Sequence, residues 1–114
     1  MKIRFLPAAE IELSNAAEFY EEARPGLGAD FMREMNKAIE LVLGNTKIGQ
    51  PVIASARTVF REFVVARFPY RLVYSVEESD ILIIAVAHQH RRPMYWQYRV
   101  QEPRQRYTAL PEAA

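Results

Sequence analysis

The sequence predicts an α+β fold of order β-α-α-β-β-β, in which a helix hairpin packs on one face of a mostly antiparallel sheet and a short C-terminal helix follows. Apolar residues recur at helical spacing in two adjoining segments between Ala8 and Leu43, which a Pro–Gly turn separates. Three strand-like segments with short links then lie between Arg57 and His88. This separation of helices from strands along the chain is typical of α+β proteins.

The first half contains one short strand and two helices. Met1–Leu6 alternates weakly, and Pro7 suits the first turn of a helix because its missing N–H needs no partner there. A first helix is predicted over about Ala8–Ala23 and a second over about Leu27–Leu43, joined by a tight turn. The second helix has an apolar stripe at spacings of three and four: Leu27, Phe31, Met35, Ala38 and Val42.

The second half predicts a meander of strands. Thr46–Ala56 contains Gly49 and Pro51 and is predicted to be a loop. Three strands follow, at Arg57–Arg67 (with Val59, Phe63 and Val65 on one face), Tyr70–Glu77 and Asp80–His88. The last strand is apolar at every position over Ile81–Ala87, so we expect a central strand covered on both faces, and Met1–Leu6 has room to pair with a neighbour in parallel.

Composition limits the class of protein. The chain has 114 residues and no cysteine, which predicts one domain over 1–114 and excludes a disulfide scaffold or a thiolate site. Its longest apolar run has seven residues, whereas a membrane span needs about 20. With no signal-peptide pattern at the start, we expect a cytoplasmic protein with no membrane partner. Residues from about 99 to 114 lack periodicity and are predicted to be frayed.

The positive charge is concentrated late in the chain. Residues 1–56 carry a net charge of −2 and residues 57–114 a net charge of +3. His88 and His90 lie at the end of the last strand, but Arg91 and Arg92 beside them repel a cation, so we predict neither a metal site nor a cofactor. The patch Arg91–Trp96 is compatible with gripping nucleic acid, with a protein-binding surface, or with Tyr95 and Trp96 packing on the sheet. For Trp96 we expect packing.

The motifs resemble the RelE/ParE toxin superfamily of type II toxin–antitoxin modules, whose members are often called plasmid stabilization proteins. The resemblance covers about residues 1–98. It rests on Phe68–Tyr74, Ile81–Ala87 and His88–Trp96 in the second half, and on Ala8–Leu13, Phe19–Glu21, Pro25–Gly28 and Phe31 in the first. The helix hairpin is similar to that of the ParE branch.

The resemblance implies two activities. RelE-like members cleave mRNA on the ribosome, and their arginines and tyrosine would fall here on Arg71, on Arg91 or Arg92, and on Tyr95. Their lysines would fall on Glu62 and Val64, which cannot supply positive charge to phosphate. ParE-like members lack those lysines and poison DNA gyrase. We therefore expect a ParE-like protein that inhibits gyrase by binding it and not by catalysis. The alternatives are a ribosome-dependent endoribonuclease and a degenerate toxin that only binds its antitoxin.

The resemblance also implies a partner, a cognate antitoxin of the small DNA-binding type. It would dock on the helix hairpin and sheet, for which the candidate residues are Met32, Met35, Ile39 and Leu43. The candidates for binding the target are His88, His90, Arg91, Arg92 and Tyr95, the densest positive spot in the chain.

Overall fold

The computed structural model describes residues 1–53 and 58–100, and it confirms the α+β fold with its hairpin of helices on a mostly antiparallel sheet. Two helices pack on one face of a five-stranded sheet of order β1-β5-β4-β3-β2. The elements are β1 (Lys2–Phe5), α1 (Pro7–Ala23), α2 (Leu27–Gly44), β2 (Gln50–Ile53), β3 (Val59–Val64), β4 (Tyr70–Val76), β5 (Asp80–His88) and a C-terminal 3-10 helix (Tyr95–Arg99).

The sheet contains one strand more than the sequence predicted. β2 lies in the segment predicted to be a loop and pairs antiparallel with β3, Gln50 opposite Glu62. Pro51 has no backbone N–H to donate. It is tolerated because β2 is an edge strand, whose outer side has no neighbouring strand to accept a hydrogen bond. The first strand pairs in parallel with β5, Lys2 opposite Asp80, as the long helical connection allows.

The turn between the helices is fixed by Glu21 near the end of α1. Its carboxylate accepts hydrogen bonds from the backbone N–H groups of Gly26 and Gly28, at 3.0 to 3.1 Å. Gly26 has a φ of 91°, a conformation that favours glycine. A Cβ at Gly28 would lie 2.7 Å from the carbonyl oxygen of Ala17, so the two helices approach at this glycine.

β5 is covered on both faces, as its apolar run predicted. Ile81 and Ile83 face the helices and pack with α1 and α2 residues such as Phe31. Leu82 and Ile84 belong to a second cluster on the other face, which Trp96 closes. Trp96 is 1% exposed, which confirms that it packs on the sheet.

Val59, predicted on one face with Phe63 and Val65, begins β3 and is 51% exposed. One expectation, for Arg99, is wrong. Arg99 was assigned to the frayed tail, but it ends the 3-10 helix and is buried because a carboxylate and a carbonyl accept its hydrogen bonds. The rest of the predicted tail, residues 101–114, and Arg57 of the predicted strand lie outside the described residues. In the described ranges no helix is long and apolar enough to cross a membrane.

Candidate protein-binding site at the end of the sheet

The site lies where β5 extends past its parallel neighbour. β1 pairs with β5 only as far as Phe5 opposite Ile83, and β5 then continues to His88. Side chains replace the missing strand along this edge. The backbone N–H of Val86 donates to Glu12 Oε1 at 3.0 Å, and Arg99 Nη1 donates to the Ile84 carbonyl at 3.0 Å. The edge is thus closed partly by α1 and partly by the 3-10 helix.

Glu12 is the centre of this arrangement. Besides the Val86 N–H, its carboxylate accepts hydrogen bonds from Arg99 Nη1 at 2.9 Å, from Arg99 Nη2 at 2.7 Å and from the Tyr95 hydroxyl at 2.7 Å. Burial by itself would raise the pKa of Glu12, but the hydrogen bonds from Arg99, Tyr95 and Val86 outweigh burial and lower that pKa. The carboxylate therefore stays ionised, with two donors on each oxygen.

Tyr95 links this carboxylate to an exposed cation. Burial, followed by its hydrogen bond to Glu12, raises the pKa of the Tyr95 hydroxyl, which therefore remains a donor. The Arg91 guanidinium carbon lies 3.8 Å from the centre of the Tyr95 ring, within the range of a cation–π contact. Arg91 itself is exposed and forms no ion pair within 1–53 and 58–100.

His88 and His90 lie next to this arginine. The backbone N–H of His90 donates to His88 Nδ1 at 3.0 Å, which in the neutral His88 ring places the proton on Nε2. The two imidazole rings are 4.9 Å apart, and the Tyr70 ring is 5.1 Å from that of His88. No group of three or more His, Cys, Asp or Glu residues that could hold a metal ion occurs in the described part of the chain.

These residues border an open cleft of about 310 Å³ between α1 and the adjoining ends of β4 and β5. Its walls are formed by Glu12, Asn15, Ala16, Phe19, Tyr70, Val86, His88 and Arg91. The Phe19 side chain is 64% exposed, a large apolar surface at the rim. The cleft thus combines a cation, polar side chains and an apolar wall.

Of the predicted catalytic residues, Arg91 and Tyr95 lie together, whereas Arg71 does not line the cleft. Arg71 shares a strand face with Val73, which packs in the cluster on the helix-free side of the sheet. There its Nε lies 3.5 Å from Glu62 Oε1, and Val64 stands opposite it on β3. Arg91, by contrast, lines the cleft against α1.

The other candidates differ in exposure. Arg92 is exposed beside Arg91. Among the residues proposed for an antitoxin, Met35 is fully buried in the core, because the apolar stripe of α2 faces the sheet. Met32 and Ile39 are half-buried and Leu43 is 37% exposed, so these three retain surface that a partner can contact.

Sequence reasoning missed Glu12 and Arg99. A signal for Glu12 exists in the helical pattern, since it stands three residues after Ala9 and four before Ala16, both of which are buried. An acid on the inner face of a helix needs a buried donor, but nothing local indicates that Arg99 supplies it.

The fold is that of a small α+β protein with a helix hairpin on a sheet, and an exposed arginine, Arg91, follows the end of its longest strand. A family model described as the ParE toxin of type II toxin-antitoxin system, parDE, matches residues 3–93, and the chain belongs to this family. No well-characterised protein matches the chain in sequence at a significant level.

A solved structure has a similar fold. A chain of "Chromosomal ParDE TA system from P. aeruginosa" superposes with a TM-score of 0.65 at 15% sequence identity, covering 77% of this chain and 95% of that one. At this identity the likeness supports the fold.

Proposed function

We propose that this chain is a ParE-type toxin that acts in the cytoplasm, inhibits growth by binding DNA gyrase and is neutralised by a cognate antitoxin. Membership of the ParE toxin family supports the toxin and the antitoxin partner. The choice of gyrase over mRNA rests chiefly on one observation, the pairing of Arg71 with Glu62 on the helix-free face of the sheet.

Cleavage of RNA by charge stabilisation needs several cations around one phosphate. Here Arg71 meets a carboxylate at 3.5 Å, and the residue opposite it on β3 is the apolar Val64. Arg91 lies at a different surface, against α1. This arrangement favours a toxin that binds its target over one that cleaves RNA.

The antitoxin surface we propose is the outer side of α2. Leu43 is 37% exposed and shares a face of the helix with the half-buried Met32 and Ile39, at spacings of four and seven residues. An amphipathic helix of the antitoxin would cover these apolar side chains. The acidic first half and basic second half of the chain would steer that partner.

Expression with and without the neighbouring antitoxin frame tests the function. We expect growth arrest with filamentation and broken DNA from the toxin alone, normal growth on co-expression, and inhibition of purified gyrase in a supercoiling assay. Codon-dependent cuts in mRNA with unaffected gyrase would support the endoribonuclease. Normal growth with retained antitoxin binding would indicate a degenerate toxin.

A further inference from the structure

We propose that the cleft between α1 and the ends of β4 and β5 is a carboxylate-binding site, which receives an acidic side chain adjacent to an apolar side chain in a segment of a partner protein. The inference rests on the proposed function in taking the occupant to be a protein. It adds the chemistry by which that protein is recognised.

The charge of the cleft favours an anion. Glu12 lines it, but both carboxylate oxygens already accept two hydrogen bonds each, and Arg99 neutralises their charge. Asn15 and Tyr70 are uncharged. Arg91 is exposed at the rim with no acidic partner in the ranges 1–53 and 58–100, so the balance of charge around the cleft is positive.

The geometry holds Arg91 ready for a carboxylate. Its guanidinium lies with its carbon 3.8 Å from the Tyr95 ring centre, and Tyr95 is tied to Glu12 at 2.7 Å. A guanidinium that uses its face for an aromatic ring keeps its N–H donors in the plane, where they match the two oxygens of a carboxylate. His88 Nε2–H is a further donor on the same wall, because Nδ1 is occupied by the His90 N–H.

The apolar wall of the cleft favours a partner segment in which an apolar residue adjoins the acidic residue. Ile11, Asn15 and Phe19 follow one another at four-residue steps, so they share a face of α1 that runs past the cleft. Ile11 is 60% and Phe19 64% exposed. A partner segment with an acidic residue at Arg91 would place an adjoining apolar side chain on Phe19.

A protein carboxylate fits this cleft better than a nucleic-acid phosphate. A phosphate backbone is bound by rows of cations that release counterions. Here one unpaired guanidinium stands beside the Glu12 carboxylate and an apolar wall. A nucleic acid would gain one charge contact here, and its further phosphates would lie against the apolar wall.

The test is an NMR titration of the full chain with two short peptides, acetyl-Phe-Asp-Leu-amide and the same peptide with asparagine in place of aspartate. We expect the aspartate peptide to shift the resonances of Phe19, His88 and the Arg91 side chain, and the asparagine peptide to bind at least about tenfold more weakly. Arg91→Ala should lose binding by a similar factor, whereas Arg24→Ala, which removes an exposed arginine at the end of α1 that does not line the cleft, should bind as the natural chain does. Unchanged backbone spectra of both variants establish that they fold.

Equal binding of the two peptides, equal losses in Arg91→Ala and Arg24→Ala, or no shifts at the cleft would each overturn the proposal. Stronger shifts of the same resonances by a uridine hexanucleotide would assign the cleft to nucleic acid and overturn it as well. The gyrase assay is independent of this titration, so failure of the proposed function with peptide binding intact would leave the carboxylate site standing.

Discussion

Arg99 donates two hydrogen bonds, of 2.9 and 2.7 Å, to Glu12, a residue 87 positions earlier in the chain. The pair joins the C-terminal 3-10 helix to α1, and each partner also bonds the backbone edge of β5. It therefore completes the sheet at the point where β1 ends. The same carboxylate holds Tyr95, on which Arg91 lies, so the pair also supports the cleft.

Glu12→Gln should destabilise the protein by about 3 kcal/mol at neutral pH, because it leaves the buried Arg99 without its counter-charge. Urea unfolding followed by circular dichroism measures the change. Glu18→Gln, at an exposed position of the same helix, is the matched control and should cost less than about 0.5 kcal/mol. Equal losses in the two variants would contradict a special role for Glu12.

The contribution of Glu12 to the free energy of unfolding should depend on pH. Although burial would raise its pKa, hydrogen bonds from Arg99, Tyr95 and Val86 lower the pKa in the folded chain beneath the ordinary value of 4.5. A carboxyl group whose pKa is lowered by folding stabilises the folded chain. This stabilisation is fully present above the pKa of the unfolded chain and is lost as the pH falls through the pKa of the folded chain. The difference in unfolding free energy between the natural chain and Glu12→Gln should therefore narrow below about pH 4.5. A difference that stays constant or widens in acid would be inconsistent with this shift.

Gly28→Ala should destabilise the helix hairpin by about 1–3 kcal/mol, the usual effect of overpacking. The added Cβ would lie 2.7 Å from the Ala17 carbonyl oxygen, which is backbone and can yield only if the helices separate. Gly44→Ala is the control, since nothing lies within 4 Å of its Cβ and alanine favours a helix by up to about 1 kcal/mol. Thermal melting of both variants tests this prediction. Equal melting temperatures for Gly28→Ala and Gly44→Ala would argue against a close contact of the helices at Gly28.

Trp96→Ala should cost about 3–5 kcal/mol, because it uncovers the helix-free face of β5. The Trp96 ring is 1% exposed and lies 5.4 Å from the Phe60 ring. Val64→Ala, whose side chain is 68% exposed on the same sheet, should cost less than about 1 kcal/mol. An unchanged melting temperature for Trp96→Ala together with lost toxicity would make Trp96 a contact residue instead.

Replacing Arg91 and Arg92 together with alanine should abolish growth inhibition while the protein stays folded. Both side chains are exposed, and the stacking of Arg91 on Tyr95 contributes only about 0.5–1 kcal/mol to stability. The matched double variant, Glu62→Gln with Arg71→Gln, removes a paired charge from the other face and should remain toxic. Growth curves after induction, with protein levels checked by immunoblot, measure both. The reverse pattern would place the active surface on the face of Arg71.

The sequence was sufficient for most of the fold, because helical and strand periodicities are local properties. The observed α1, α2 and β5 begin and end within one residue of the predicted limits. β2 was missed because Gly49 and Pro51 indicate a loop, and only pairing with β3 stabilises a four-residue edge strand there. The burial of Trp96 could be predicted, since a strand that is apolar on both faces needs a cover on each.

The sequence by itself singled out His88, Arg91 and Tyr95 as candidates, because they are close together in a basic, aromatic segment. Only the tertiary structure decided which side chains these residues contact. Hydrogen bonding across the sheet edge brought Glu12 to Arg99, and strand pairing turned Arg71 to the face away from the helices. Periodicity records which side of its own element a residue occupies, whereas the meeting of distant side chains depends on how the elements pack.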